Sequence, residues 1–113
     1  MNVRYERQLK RGVLEIVVLK MISIEPTYGY QLLSDMDTKS RGVLKIKEGT
    51  LYPILYRLED DGMIQSQWSM PKDKDVSKKY YVITEEGKQT LTELIELWKN
   101  YDIVVGEMLE VGA

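Results

Sequence analysis

Residues 47–64, KEGTLYPILYRLEDDGMI, constrain the fold more than any other stretch of the chain. Leu51, Ile54, Leu55 and Leu58 recur at spacings of three, four and seven, which lays one apolar stripe along a helix of period 3.6. Such a stripe must dock on a core. Pro53 lacks an N–H and is tolerated without penalty only in the first turn, so the spacing predicts a start near Gly49 or Thr50, with Thr50 as the cap. An earlier start would cost a bend at Pro53. Asp60, Asp61 and Gly62 end the helix, and Gly62 suits the left-handed residue that follows it. Off the stripe stand Thr50, Tyr52, Tyr56 and Arg57, whose hydroxyls, phenols and guanidinium suit phosphates and base edges.

What the chain lacks narrows its chemistry. Among 113 residues there is no histidine and no cysteine, which removes Cys/His zinc sites, Ser-His-Asp and Cys-His arrangements, and histidine as a general base. Glu59, Asp60 and Asp61 read as a helix end rather than a metal cluster, and no glycine-rich phosphate loop is present. The expectation is a non-enzyme with no catalytic residue, no metal and no cofactor. The length fits one domain. No apolar run reaches the ~18 residues of a membrane span, and the start, MNVRYERQLKRG, lacks the apolar segment of a signal peptide. A cytoplasmic protein without membrane contact is expected.

A net charge of −2 argues against nucleic acid only until it is divided along the chain. Residues 1–84 hold 14 Lys and Arg against 11 Asp and Glu, a balance of +3; residues 85–113 hold 2 against 7, a balance of −5. The acidity sits in the tail, and a local positive face remains available to DNA.

The first helix is predicted from near Arg4 to about Ile24, most apolar in VLEIVVLKMISI. Arg4, Arg7, Lys10 and Arg11 in its opening turns are either a solvated helix end or a phosphate contact. After Glu25 and Pro26, Thr27 is expected to cap a second helix from about Tyr28 to Lys39, in which Gly29 permits close approach of a neighbour and Tyr30 and Gln31 point outward. SRGVLKI connects it to the central helix, which makes a helix-turn-helix. MIQSQWSM and KYYVIT alternate or are rich in strand formers, around a polar PKDKDVS loop, and so predict the hairpin wing of a winged helix. Lys72, Lys74, Lys78 and Lys79 offer phosphate or minor-groove contacts, with Lys78 and Lys79 the better placed. Trp68 is expected to pack against the central helix.

Thr84, Glu85, Glu86 and Gly87 open the last helix in the neighbourhood of a capping box. Leu91, Leu94, Trp98, Tyr101, Val105 and Met108 then follow at alternating spacings of three and four, the a/d pattern of a coiled-coil seam. A helix this apolar needs a partner, and a two-fold dimer is expected. Trp98, with Asp102 one turn later, either stacks on a flat aromatic cation between subunits or fills the dimer core.

GTLYPILYRLEDDGMI resembles the signature of the PadR family of bacterial transcriptional regulators. TYGYQLL at 27–33 resembles the opening of that family's second helix, and KKYYVITEEGKQTL at 78–91 its second wing strand running into the last helix. The three segments fall in family order. The resemblance implies a homodimer through the last helix, and the lack of a further C-terminal helical domain resembles the short branch, in which a Trp in the matching place stacks on planar drugs. The expected fold class is therefore α+β, mostly α: a winged helix-turn-helix over 1–84 and a dimerisation helix over 85–113, as one unit. The expected function is a repressor on a pseudo-palindromic operator, touching double-stranded DNA through Tyr30, Lys47, Gly49, Thr50, Tyr52, Pro53, Tyr56, Arg57, Lys78 and Lys79, and released by a planar aromatic effector at Trp98 and Asp102. The alternatives are a dimerising adaptor without DNA binding and a repressor with no effector.

Overall fold

The structure, a computed structural model, describes residues 3–69 and 77–112; the expected contacts of Lys72 and Lys74 lie outside the described residues. Helix α1 spans Val3–Ile24 and buries Leu14, Val18, Leu19 and Ile22 along one face. A two-residue strand β1, Thr27–Tyr28, leads into α2, Gly29–Lys39. The central helix α3 covers Glu48–Asp60, strands β2 and β3 cover Ile64–Trp68 and Lys79–Ile83, and α4 runs Glu85–Leu109. The sheet is antiparallel in the order β1-β3-β2, with Thr27 opposite Tyr81 and Ser66 opposite Tyr81 on the other side. The fold is α+β and mostly helical: α2 and α3 form the helix-turn-helix, and β2–β3 the wing.

One core holds the elements together. Leu19 of α1, Leu32 of α2, Leu51 and Leu55 of α3, Ile64 of β2 and Tyr81 of β3 are all almost wholly buried in it. The whole predicted stripe of α3 faces inward, since Ile54 and Leu58 join the same cluster. Burying a side chain of this size contributes roughly 1.5–3 kcal/mol, and this anchors α3 with its opposite side free.

The helix ends are set by local chemistry. Gly62, at φ 79°, closes α3: its N–H donates to the Glu59 carbonyl at 3.0 Å and that of Met63 to Leu58 at 2.9 Å, the paired bonds of a Schellman motif. At α4, the Thr84 hydroxyl accepts from the Gly87 N–H at 3.0 Å and donates to the Gly62 carbonyl at 2.7 Å. It therefore ties the start of α4 to the end of α3. Gly87 is required here, because a Cβ would lie 2.1 Å from the Met63 carbonyl oxygen.

Three expectations are corrected. Thr27 does not cap α2; it lies in β1 with its hydroxyl buried and unpartnered, because pairing with Tyr81 takes its backbone into the sheet. Thr50 does not cap α3, which begins two residues earlier after an extended Lys47. Pro53 is thus the sixth residue of the helix and withholds an N–H from the Gly49 carbonyl. Trp68 is 64% exposed rather than packed on α3, because Ile64 and Ser66 supply the inward side of β2 and the strand has run past the core by Trp68.

Candidate nucleic-acid interface

At about 100° per residue, α3 divides into a buried stripe, an outward edge and two flanks. Gly49, Pro53 and Tyr56 lie on the outward edge and are exposed, Tyr56 at 55%. Gly49 has open space around it: a Cβ there would meet no atom within 4 Å. Nothing inside the protein requires a glycine at that position. Thr50 and Lys47 are also exposed at the helix start.

Tyr52 divides its role. Its ring is half-buried against the core, and a Cβ on Gly29 would come within 2.5 Å of its hydroxyl oxygen. Gly29 is thus the seat of a phenol from α3, a specific form of the close approach expected of it. The Tyr52 and Tyr56 rings are 6.2 Å apart and tilted, so Tyr56 is left as the freer phenol. Tyr30, in the first turn of α2, is 75% exposed, whereas Gln31 spends its amide on Asp35 at 2.9 Å.

The wing is joined to one flank of α3. Glu59 accepts a short hydrogen bond from the Ser66 hydroxyl of β2, and the Lys79 ammonium of β3 lies 4.0 Å from its other oxygen. Lys79 also lies over the Tyr81 ring at 5.6 Å, so its charge is partly engaged within the protein. Burial, and then the carboxylate of Glu59, push the Tyr81 phenol up to about 12 from its ordinary 10. Lys78 is exposed and stands over the Tyr28 ring at 4.4 Å, which meets Tyr80 edge-on at 5.3 Å. Of the two lysines, Lys78 presents its charge to solvent.

The other flank faces α1. Arg57 donates from Nε and Nη2 to one oxygen of Glu15, at 2.8 and 2.7 Å. The pair is exposed, and such bridges contribute at most about 1 kcal/mol; its effect is to orient Arg57 and offset its charge. Beyond it, α1 and α3 diverge around an open groove of about 640 Å³, with Leu14, Ile46 and Ile54 among its lining.

Along α4 the predicted seam splits. Leu91 is buried in the chain's own core and Leu94 packs against it, so these two face inward. The free part begins at Trp98, 43% exposed, and continues through Tyr101, Val105 and Met108, with Ile103, Val104 and Leu109 also exposed. Apolar side chains thus surround this half of the helix. Asp102 is exposed one turn from Trp98.

Sequence reasoning missed Glu15, Glu59, Ser66 and Tyr28. Glu59 and Ser66 are near neighbours across the α3–β2 turn, so the polar residue on the inward side of β2 was a usable signal. Glu15 stood in an apolar run, 42 residues from Arg57, and carried none. Among the described residues no group of acidic side chains is placed to hold a metal ion, and no helix is long and apolar enough to cross a membrane.

This architecture recurs in known proteins. A PadR family transcriptional regulator from Eggerthella lenta superposes with a TM-score of 0.81 at 34% identity, covering 93% of this chain and 88% of that one. A transcriptional regulator from Clostridium thermocellum gives 0.83 at 27% identity, covering 91% and 99%. By sequence alone, a transcriptional regulator of Mycobacterium tuberculosis is 29% identical over 87 residues, 77% of each chain. The profile of the transcriptional regulator PadR-like family matches residues 18–93, from the buried half of α1 through the helix-turn-helix and wing to the capped start of α4. With helix-turn-helix, wing and projecting helix all in the order those proteins share, the chain belongs to the PadR-like family of transcriptional regulators.

Proposed function

We propose that the chain is a homodimeric repressor that places α3 in the major groove of a pseudo-palindromic operator. The observation that carries this reading is the outward edge of α3, where an uncrowded glycine, Pro53 and an exposed tyrosine lie opposite a fully committed apolar stripe. A helix firmly anchored on one side and unpartnered on the other is what groove insertion needs. Gly49 and Pro53 keep the edge low enough for close approach, Thr50 and Tyr56 supply hydrogen bonds to bases and phosphates, and Lys47, Lys78 and Tyr30 hold the backbone. Tyr52 contributes chiefly by fixing α3 against α2, and Lys79 by joining the wing to Glu59.

The dimer is supported by the apolar surface of α4 beyond Trp98, which stays exposed among the described residues. Two half-sites about one helical turn apart follow from a two-fold axis through it. An effector reading is supported by Trp98 and Asp102: two indoles brought together near that axis would stack on a planar aromatic cation, with the carboxylates offsetting its charge. Binding would release DNA to the extent that the ligand prefers a dimer geometry unfit for the operator.

The test is a mobility shift with DNA taken from upstream of the protein's own gene, over a salt series, with Tyr56→Ala alongside. Tyr56 is the better probe than Tyr52 because its removal leaves the α2–α3 contact in place. Selective binding that weakens with salt and with Tyr56→Ala supports the repressor; no binding at low salt overturns it in favour of a dimerising adaptor. Quenching of Trp98 fluorescence by planar cations, read in a Trp68→Phe background because both indoles are exposed, tests the effector.

A further inference from the structure

The groove between α1 and the start of α3 shares one wall with the recognition helix, but its other wall, α1, has no part in the DNA reading above, and six basic side chains gather around it. Arg7, Lys10 and Arg11 of α1 meet Lys45 and Lys47 of the connection and Arg57 of α3 around it, with Glu6 the sole acidic residue in the lining. Lys10 is paired with Glu6 at 3.1 Å and Arg57 with Glu15. Among the described residues Arg7, Arg11, Lys45 and Lys47 form no ion pair. Four uncompensated cations converge from segments more than thirty positions apart in sequence, and their combined field favours an external anion.

We infer that this groove holds the sugar-phosphate strand on the side of the major groove opposite the wing, so that the protein grips both strands bordering its recognition helix. The inference rests on the DNA reading above and extends it to α1. Its geometry comes from α3 itself. Thr50 and Arg57 line the groove, while Tyr52 and Glu59 face α2 and the wing. Residues 57 and 59, like 50 and 52, lie about 160° apart around the helix axis. The α1 groove and the wing with Lys78 therefore stand on opposite flanks of one helix, with the edge of Gly49, Pro53 and Tyr56 between them. A helix seated in a major groove about 12 Å wide has a phosphate strand on each side. One cationic surface meets each strand. A small organic anion would also be attracted here, but the open mouth beside the exposed start of α3 and the spread of charge over four free side chains favour a strand of phosphates over one compact ligand.

The experiment is ethylation interference and a salt series on the upstream DNA, comparing the full-length protein with an Arg7→Gln/Arg11→Gln/Lys45→Gln variant and with Lys78→Ala. These side chains are solvent-facing, and an unchanged thermal midpoint and circular dichroism spectrum confirm that the triple variant folds. For the unaltered protein two clusters of interfering phosphates are expected, one on each border of the same major groove. The triple variant should lose one cluster, Lys78→Ala should weaken the other, and the ratio of affinities for specific and unrelated DNA should stay the same. Three phosphate contacts contribute a log–log salt slope of about 2.7, so the variant's affinity should change about forty-fold less between 50 and 200 mM salt. If the folded variant keeps both clusters and the full slope, the inference fails while the DNA reading stands, and the groove passes to a small anion. If the unaltered protein binds no DNA, both fail together.

Discussion

Replacing Gly49 by alanine should make the protein more stable and a weaker DNA binder. Gly49 is the second residue of α3, in an ordinary helical conformation, and a Cβ there meets nothing within 4 Å. The methyl group therefore brings no clash within the chain. Alanine restricts the unfolded chain and is favoured in helices over glycine by roughly 0.5–1 kcal/mol, with the lower figure appropriate to a first turn. For a domain of this size ~0.5 kcal/mol raises the thermal midpoint by about 2 °C. If bases or phosphates approach this edge as closely as the bare backbone allows, the same methyl group overpacks the complex by about 1–3 kcal/mol. At ~1.4 kcal/mol per tenfold, affinity falls at least about five-fold. Differential scanning fluorimetry and a mobility shift on the same samples read both numbers. The opposite signs exclude unfolding as the cause of lost binding. Equal affinity for both proteins would refute the close approach of DNA at Gly49, and a lowered midpoint would refute the account of its surroundings.

Further perturbations follow from the same geometry. Gly87→Ala should destabilise strongly, by roughly 3 kcal/mol or more, because its Cβ would press on backbone at Met63 and on Ile83 at 2.7 Å, where neither can yield freely; chemical denaturation measures it. Glu15→Gln frees Arg57 at a stability change below about 1 kcal/mol, and the salt slope of DNA binding should steepen by about one as the released guanidinium takes a phosphate; an unchanged slope would mean that Arg57 stays away from DNA. Because the folded Tyr81 phenol titrates above its unfolded value, its contribution to stability is complete below pH 10 and disappears as pH rises toward about 12. Alkaline unfolding followed by circular dichroism should shift to higher pH in Tyr81→Phe relative to the parent, once both are normalised to their neutral-pH stability.

Where a signal is local, the sequence carries it. The stripe of α3 is a count of apolar spacings, Gly62 ends the helix through a bond pattern spanning six residues, and Thr84 caps α4 from three residues away. Each was readable because the residues that define it are neighbours. The misjudged positions are those whose partners arrive from elsewhere. Tyr52 looked free because its periodic phase lies off the stripe, yet Gly29 of α2 receives its ring. Arg57 looked like a free cation until α1 brought Glu15 to it. Thr27 had every local feature of a cap, and a two-residue strand is too short to leave any alternation in sequence. The expected packing of Trp68 on the central helix fails because exposure at a strand end depends on how far the core extends beneath it.

Helix α4 has one further consequence. Its first turns are clamped to the reading head by Thr84, Gly87 and Leu91, while its apolar second half lies wholly outside that head, within a molecule 64 Å long and 21 Å thick. The helix is therefore a lever with a welded end. From Trp98 to Thr84 the arm is about 21 Å at 1.5 Å per residue, so a tilt of about 10° near Trp98 swings the head by roughly 4 Å. That is close to the ~3.4 Å rise of one base pair. In the proposed dimer, a change in packing too slight to disturb either head would thus put the two heads out of phase with their half-sites by one step along the DNA.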